Sequence, residues 1–257
     1  MPGLRTPRWL RTPRWLRTPP VVVRAGGWLP WTGRICDIAA IPLVILGLYF
    51  ALAYAPAAAR ETGGPVQRIF YFHVPFAMAS FLGFAFVLVC SIGFLSTGRR
   101  SWDVVAEAAA EVGLLCCTIV LVTGPIWARY AWGVWWTWDA RLTSTLVLWL
   151  IYASYLLLRN YMAEDPRMRR YASVLGIVGA LDVPIVYFSV HWFRTMHPQT
   201  FITREGGLDP DMHIALRVGM AAVFTLFAAL LIKRIQLGRL QENVERLQAT
   251  LDRREQP

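Results

Sequence analysis

The sequence predicts an all-α membrane protein with six transmembrane helices, both termini in the cytoplasm, and a tryptophan-rich loop on the outer face. Three observations carry this. The 257-residue chain is 56% hydrophobic and only 16% charged, where a soluble domain carries about 25% charge. Its apolar residues come in long runs. Its arginines gather in the gaps between those runs.

The first 34 residues stand apart. Leu-Arg-Thr-Pro-Arg-Trp occurs at 4–9 and again at 10–15, and Leu-Arg-Thr-Pro follows at 16–19. A proline every six residues prevents a stable helix. No apolar core with a small-residue cleavage site follows directly, so the segment does not read as a cleavable signal peptide. Residues 1–34 are expected to form a disordered basic tail, with translation beginning further in, near Val21 to Val23.

Crossing the hydrocarbon core takes about 20 apolar residues. Six segments meet this: Ile35–Tyr54, Phe76–Ser96, Ala108–Trp127, Leu142–Leu158, Tyr171–Ser189 and Met212–Ile232. Backbone polar groups in lipid must be satisfied within the segment, so each is a helix. Pro42 and Pro184 lie inside spans and are expected to kink the first and fifth helices.

An even number of spans puts both termini on one side. The tail, the 2–3 and 4–5 gaps and the C-terminus carry nineteen Arg and Lys residues, against six in the other gaps. The inner gaps and C-terminus alone still give twelve against six. The positive-inside rule therefore places the termini in the cytoplasm. The net charge of +10 is thus read as headgroup contact and topology control rather than nucleic-acid binding. No nucleic-acid motif occurs.

Residues 234–257 form a further segment. Leu237, Leu240, Val244, Leu247 and Leu251 alternate steps of three and four, an a/d seam over about two heptads. This is an amphipathic cytoplasmic helix, either solvated or docked on a partner. Cys36, Cys90, Cys116 and Cys117 lie in or beside apolar runs and contain no C-x-x-C pair. They read as small buried apolar side chains, and the chain offers no C-x-x-C thiol pair for redox chemistry or covalent cofactor attachment.

The outer loops hold the chemistry. Trp132, Trp135, Trp136 and Trp138 crowd one seven-residue segment, followed by Asp139 and Arg141. If helical, Trp132, Trp135, Trp136 and Asp139 share one face. Aromatic belts anchor helices at headgroups, and isolated residues such as Trp102 or Trp192 fit that role. Four clustered indoles beside a cation exceed it. They suit a large planar anionic ligand, with stacking over the macrocycle and a guanidinium on its carboxylates. Asp139 alternatively pairs with Arg141 or another Arg and stiffens the loop.

All four histidines fall at or near the same face: His73, His191, His197 and His213. Neutral imidazole is a common axial ligand of haem iron. His73, at the outer end of the second span, and His197, after the fifth, are the expected iron ligands. His191 competes with His197 for the second position. Arg68, five residues before His73, is a second propionate candidate. His213 reads as structural.

The Trp132–Thr143 stretch resembles the WWD signature of haem-handling membrane proteins in cytochrome c biogenesis. The six-span plan over residues 35–233 resembles the haem exporter protein C family (CcmC) of cytochrome c maturation. The blocks Phe70–Pro75 and Val183–His197 are similar to that family's two histidine segments. Where His191 stands, the family usually has an acidic or other polar residue. The resemblance implies axial ligation by His73 and His197. It also implies transient, non-covalent binding of b-type haem at the outer face of the bacterial inner membrane, and handover to a periplasmic haem chaperone. Implied partners are the subunits of an ABC transporter and a small membrane subunit. ATP would be hydrolysed in that transporter, in keeping with the lack of a G-x-x-x-x-G-K-[ST] motif here. Two other readings stand beside this one. One is a component of a haem–cytochrome c synthase, as in larger WWD relatives. The other is a structural membrane subunit with an aromatic belt.

Overall fold

A computed structural model describes residues 29–58, 64–162, 165, 167–198 and 208–255. Residues 1–28 of the expected tail lie outside the described residues. The described chain is helical. Helix α1 spans Leu29–Tyr49 and continues as a π-helical turn over Phe50–Tyr54. A 3-10 turn over Gly64–Ile69 leads into α2, Phe70–Thr97. Then follow α3, Arg100–Trp132; α4, Ala140–Tyr161; α5, Met168–Trp192; and α6, Pro210–Glu255. Six helices are long and apolar enough to cross a membrane.

Each helix outruns the apolar stretch that marks it. Hydropathy reports only the part suited to hydrocarbon, while the backbone ladder continues through flanking polar residues. Thus α2 starts at Phe70, six residues before the apolar run, and carries both His73 and Pro75. Pro42 and Pro184 lie inside α1 and α5 as expected, and Pro125 lies inside α3. At 46 residues, α6 is about 69 Å long, over twice the hydrocarbon thickness of about 30 Å. The expected C-terminal helix is therefore the uninterrupted extension of the sixth span. Its Leu237, Leu240, Val244, Leu247 and Leu251 are all exposed.

Hydrophobicity alone does not hold helices together in lipid, so small residues and polar pairs set the packing. The main interface joins α2 to α3. A methyl group on Gly83 would stand 2.9 Å from the Gly113 Cα, so the two backbones all but touch. Ala106, Ala108, Ala109 and Ala110 continue the buried stripe. Against this pair, Phe84 of α2 stacks on Tyr152 of α4, with centroids 3.8 Å apart and planes within 8°. Helix α1 lies antiparallel along α6, with Asp37 paired to Lys233 at 2.9 Å and the Tyr54 hydroxyl donating to Asp211 at 2.7 Å. Cys90, Cys116 and Cys117 are buried and unbridged, in agreement with their reading as apolar filler.

The arginines at the far end from the histidines are more than topology markers. Arg159 of α4 is 6% exposed and Asp103 of α3 is 3% exposed. Their side chains form a bidentate pair at 2.7 and 3.0 Å. Arg159 also donates to Glu107 at 2.9 Å and to the Tyr155 hydroxyl at 3.2 Å. Arg169 of α5 reaches Asp103 at 3.2 Å. Arg234 of α6 pairs with Glu111 of α3. Charges so placed fix which helices meet and in what register.

Removing one partner of a buried ion pair strands the other, at a cost of about 3–5 kcal/mol. Asp103→Asn should therefore lower the melting temperature in detergent by several degrees. The double variant Asp103→Asn, Arg159→Met should recover part of that loss. Melting of the single variant at the wild-type temperature would show that the cluster is dispensable.

Candidate functional site

At the opposite end of the bundle, α2, α3, α4 and the α5–α6 loop enclose a cavity of about 540 Å³. Cofactor and ligand sites typically measure about 300–1,000 Å³. Its walls are mostly apolar and include Phe70, Phe81, Val120, Trp127, Trp132 and Trp136. The polar groups facing it include His73, His197, Gln67 and Arg141.

His73 sits in the first turn of α2. Its Nδ1 lies 2.9 Å from the Thr123 hydroxyl of α3. That hydroxyl donates its own proton to the Ile119 carbonyl at 2.8 Å, so it can only accept from His73. Nδ1 therefore carries the proton, and Nε2 keeps its lone pair. The room for this ring comes from Gly124, where a methyl group would lie 3.3 Å from the His73 Cε1.

His197 is on the loop after α5. Its Nδ1 is 2.9 Å from the Pro198 carbonyl. A carbonyl only accepts, so Nδ1 again holds the proton and Nε2 is free. Burial, and next the Arg141 charge, pull the His197 pKa down to about 4. The imidazole is thus neutral at pH 7, the state that binds a metal. Two imidazoles from distant parts of the chain thus line one cavity, each with its Nδ1 taken up by the protein.

The tryptophan segment is not a helix. Helix α3 ends at Trp132, where Gly133 adopts φ 78° and closes the C-terminus in the left-handed region. Such a conformation is far easier for glycine than for other residues. Residues 133–139 form a turn, and α4 begins at Ala140. The helical alternative, with one continuous aromatic face, therefore does not hold, and the indoles are split. Trp132 and Trp136 line the cavity. Trp132 packs edge-on against Trp127 of the same helix, at a centroid distance of 5.2 Å. Trp135 and Trp138 lie outside the cavity lining and are 60% and 77% exposed. The Trp136 Nε1 is buried and has no hydrogen-bond partner.

Asp139 does not pair with Arg141. It is the N-cap of α4: one carboxylate oxygen accepts from the Leu142 backbone N–H at 3.0 Å. The other accepts from the Thr195 hydroxyl at 2.8 Å. Thr195 in turn accepts from the His197 backbone N–H at 3.0 Å. The tryptophan turn and the His197 loop are thereby tied through one carboxylate. Arg141 lines the cavity and is held by the Tyr187 carbonyl at 2.8 Å and the Ser189 hydroxyl at 3.3 Å.

The remaining candidates lie elsewhere. His191 is exposed in the last turn of α5 and does not face the cavity. Between the two contenders, the cavity receives His197. Arg68 is outside the lining, its Nε buried and unpartnered, while its neighbour Gln67 lines the cavity and accepts from the Trp127 indole at 3.1 Å. His213 opens α6 outside the cavity. Sequence reasoning does not single out Thr123, Thr195, Gln67 or Trp127. Of these only Thr195, two residues before His197, follows a local pattern, in which a hydroxyl binds nearby backbone.

Comparison with known proteins finds relatives over most of the chain. A family model described as "Heme exporter protein C" matches residues 16–250. The "Heme exporter protein C" of Bradyrhizobium diazoefficiens is 37% identical over 223 residues, covering 86% of this chain and 82% of that protein. The protein of the same name from Escherichia coli K12 is 32% identical over 218 residues, covering 84% and 86%. A "Putative cytochrome c biosynthesis ccmC-like mitochondrial protein" from Marchantia polymorpha is 32% identical over 185 residues, covering 72% and 76%. With the match extending over nearly the whole chain, this protein belongs to the heme exporter protein C family.

Proposed function

We propose that this chain binds haem in the cavity between α2, α3 and α4 and presents it to a periplasmic haem chaperone during c-type cytochrome maturation. One observation carries the reading: His73 and His197 line the same cavity, and each has its Nδ1 engaged by a protein oxygen. Occupying the second nitrogen of each ring fixes its tautomer and orientation, the usual arrangement for a metal-binding histidine.

The other groups fit the same cargo. Trp132, Trp136 and Phe81 offer apolar surface for a macrocycle. Arg141 supplies a cation, and the orphan Trp136 N–H a donor, for its carboxylates. Arg141 is held in place by Tyr187 and Ser189 before any cargo arrives. The binding is non-covalent, since the chain has no C-x-x-C-H segment.

In this reading the cavity faces outward from the bacterial inner membrane, and both termini are cytoplasmic, on the nineteen-to-six division of Arg and Lys. The exposed Trp135 and Trp138 beside the cavity are the surface on which the chaperone docks. Subunits of an ABC transporter and a small membrane subunit complete the assembly. ATP hydrolysis that releases the loaded chaperone belongs to the transporter.

His73→Ala and His197→Ala should each convert a six-coordinate, low-spin visible spectrum into a five-coordinate one, with haem held more weakly by the remaining histidine. Wild-type spectra in both variants would refute the ligand assignment. In His73→Ala, haem retention through His197 should stay flat from pH 8 to about 5. Protons compete for its Nε2 only toward pH 4. The sign for the fold is the same: a histidine pKa depressed from about 6.5 to about 4 costs stability as pH falls through that window. A haem-binding midpoint near 6.5 would show that the ring is solvated.

Thr195→Val removes the link from Asp139 to the His197 loop but keeps the side-chain shape. Haem retention should weaken by about 10–100-fold, as for other groups that orient metal ligands, and Thr195→Ser should restore it. Retention unchanged in Thr195→Val would mean that the loop is fixed without Asp139.

Trp135→Ala with Trp138→Ala should leave the haem spectrum intact and reduce chaperone association by at least about 30-fold, the scale of an interface hot spot. Loss of haem with chaperone binding preserved would reverse the proposed division between inward and outward indoles.

A further inference from the structure

At the end of the bundle away from the histidines lies a second cavity, of about 270 Å³. It is formed where α2 ends and where α3 and α5 begin. Three of its lining residues are Arg100, Arg169 and Arg170; the others are Phe94, Leu95 and Gly98. No acidic side chain among the described residues lines it. We propose that this cavity binds the phosphate headgroup of an anionic phospholipid.

The charge balance around it leaves cations over. Asp103 and Glu107 are shared between Arg159 and Arg169. Glu242 and Glu245 of the α6 extension are taken up by Arg100 and Arg246. Among the described residues, Arg170 has no ion pair, and neither does Arg99 beside the cavity. A pocket lined by three arginines, of which Arg170 is left without an acidic partner, matches a phosphodiester at a membrane boundary.

The lining also separates a lipid from a free ion. Phe94 and Leu95 make an apolar wall in the last turns of α2, and Leu95 is 43% exposed on the outer surface of the bundle. A phosphate held by the arginines would continue into acyl chains along that wall. Gly98, with φ 66° and no atom within 4 Å of where a methyl group would stand, leaves the entrance open. Inorganic phosphate would gain nothing from the wall. The arginine side chains themselves are prearranged, since Arg169 is anchored by Asp103 and Arg100 by Glu245 at 2.6 Å.

The test uses the full chain, delipidated in detergent, with melting temperature followed on titration. Phosphatidylglycerol should raise it, and equal amounts of phosphatidylcholine or inorganic phosphate should not. Arg170→Gln should weaken the phosphatidylglycerol response about fivefold, the effect of one basic group at a charged headgroup. Arg170→Lys should restore most of it. Leu95→Glu, on the exposed wall, should weaken it at least as much through repulsion. Arg167→Gln, on the same turn of chain but outside the cavity, should leave it unchanged. Equal stabilisation by inorganic phosphate would overturn the lipid assignment. Full response in both Arg170→Gln and Leu95→Glu, or an equal loss in Arg167→Gln, would show diffuse surface charge and no site.

Discussion

The Asp139 carboxylate makes two bonds that settle the geometry of the outer end. By accepting from the Leu142 N–H it starts α4, a cap worth about 1 kcal/mol. By accepting from Thr195 it fastens a loop 56 residues further along the chain. The first bond decides where the tryptophan turn ends. The second decides where His197 stands. A glutamate in its place would have the charge but not the reach of an N-cap, whose short side chain must fold back on its own backbone. The acidic residue that closes the tryptophan run is therefore a joint between two segments and not a partner for the cation beside it.

The same end depends on packing set much deeper in the bundle. His73 meets Thr123 only because α2 and α3 run in near-contact through Gly83 and Gly113. Larger residues at that crossing would push the helices apart, and the imidazole would lose the acceptor for its Nδ1. At the other end, Arg159 binds Asp103 and Glu107 and so locks α4 to α3. Tyr152, stacked on Phe84, donates to the Gly176 carbonyl and joins α5 to the same unit. Buried polarity is expensive in a membrane. Here it is concentrated at the helix ends, where it specifies neighbours.

Much of this was legible in the sequence, because long apolar runs leave a chain in lipid few alternatives. Six spans, the histidines gathered at one end and the clustered tryptophans all follow from that constraint. The helical alternative for the tryptophan segment did not hold. Its i, i+3, i+4, i+7 spacing fits a helix, yet Gly133 ends α3 inside it, and periodicity counts positions without weighing one glycine. The pairing of Arg159 and Arg169 with Asp103 was hidden by a different cause. Positive-inside counting treats every arginine as solvated, and the acids that bind these two arginines sit 52–66 residues away on α3. Thr123 had no signal at all: a threonine in an apolar helix gains its meaning only from the ring opposite.

The two proposed iron ligands differ in what it takes to move them. His73 belongs to α2, and displacing it means breaking a helix turn or shifting a span packed against its neighbour. His197 lies on a loop held by side-chain bonds from Thr195 to Asp139 and by its own contact with Pro198. Each such bond contributes about 1 kcal/mol net, so a docking partner that contacts the neighbouring Trp135 and Trp138 could offset the loss of both. The turn that exposes those indoles is joined through Asp139 to the very loop that must yield. In the proposed handover, binding of haem would require the tie between them to be made, and surrender of haem to a partner would require it to be broken from the exposed side. A single carboxylate between an outward-facing aromatic surface and an inward-facing ligand serves both requirements, which is a physical reason for an acidic residue to follow so closely on the tryptophans.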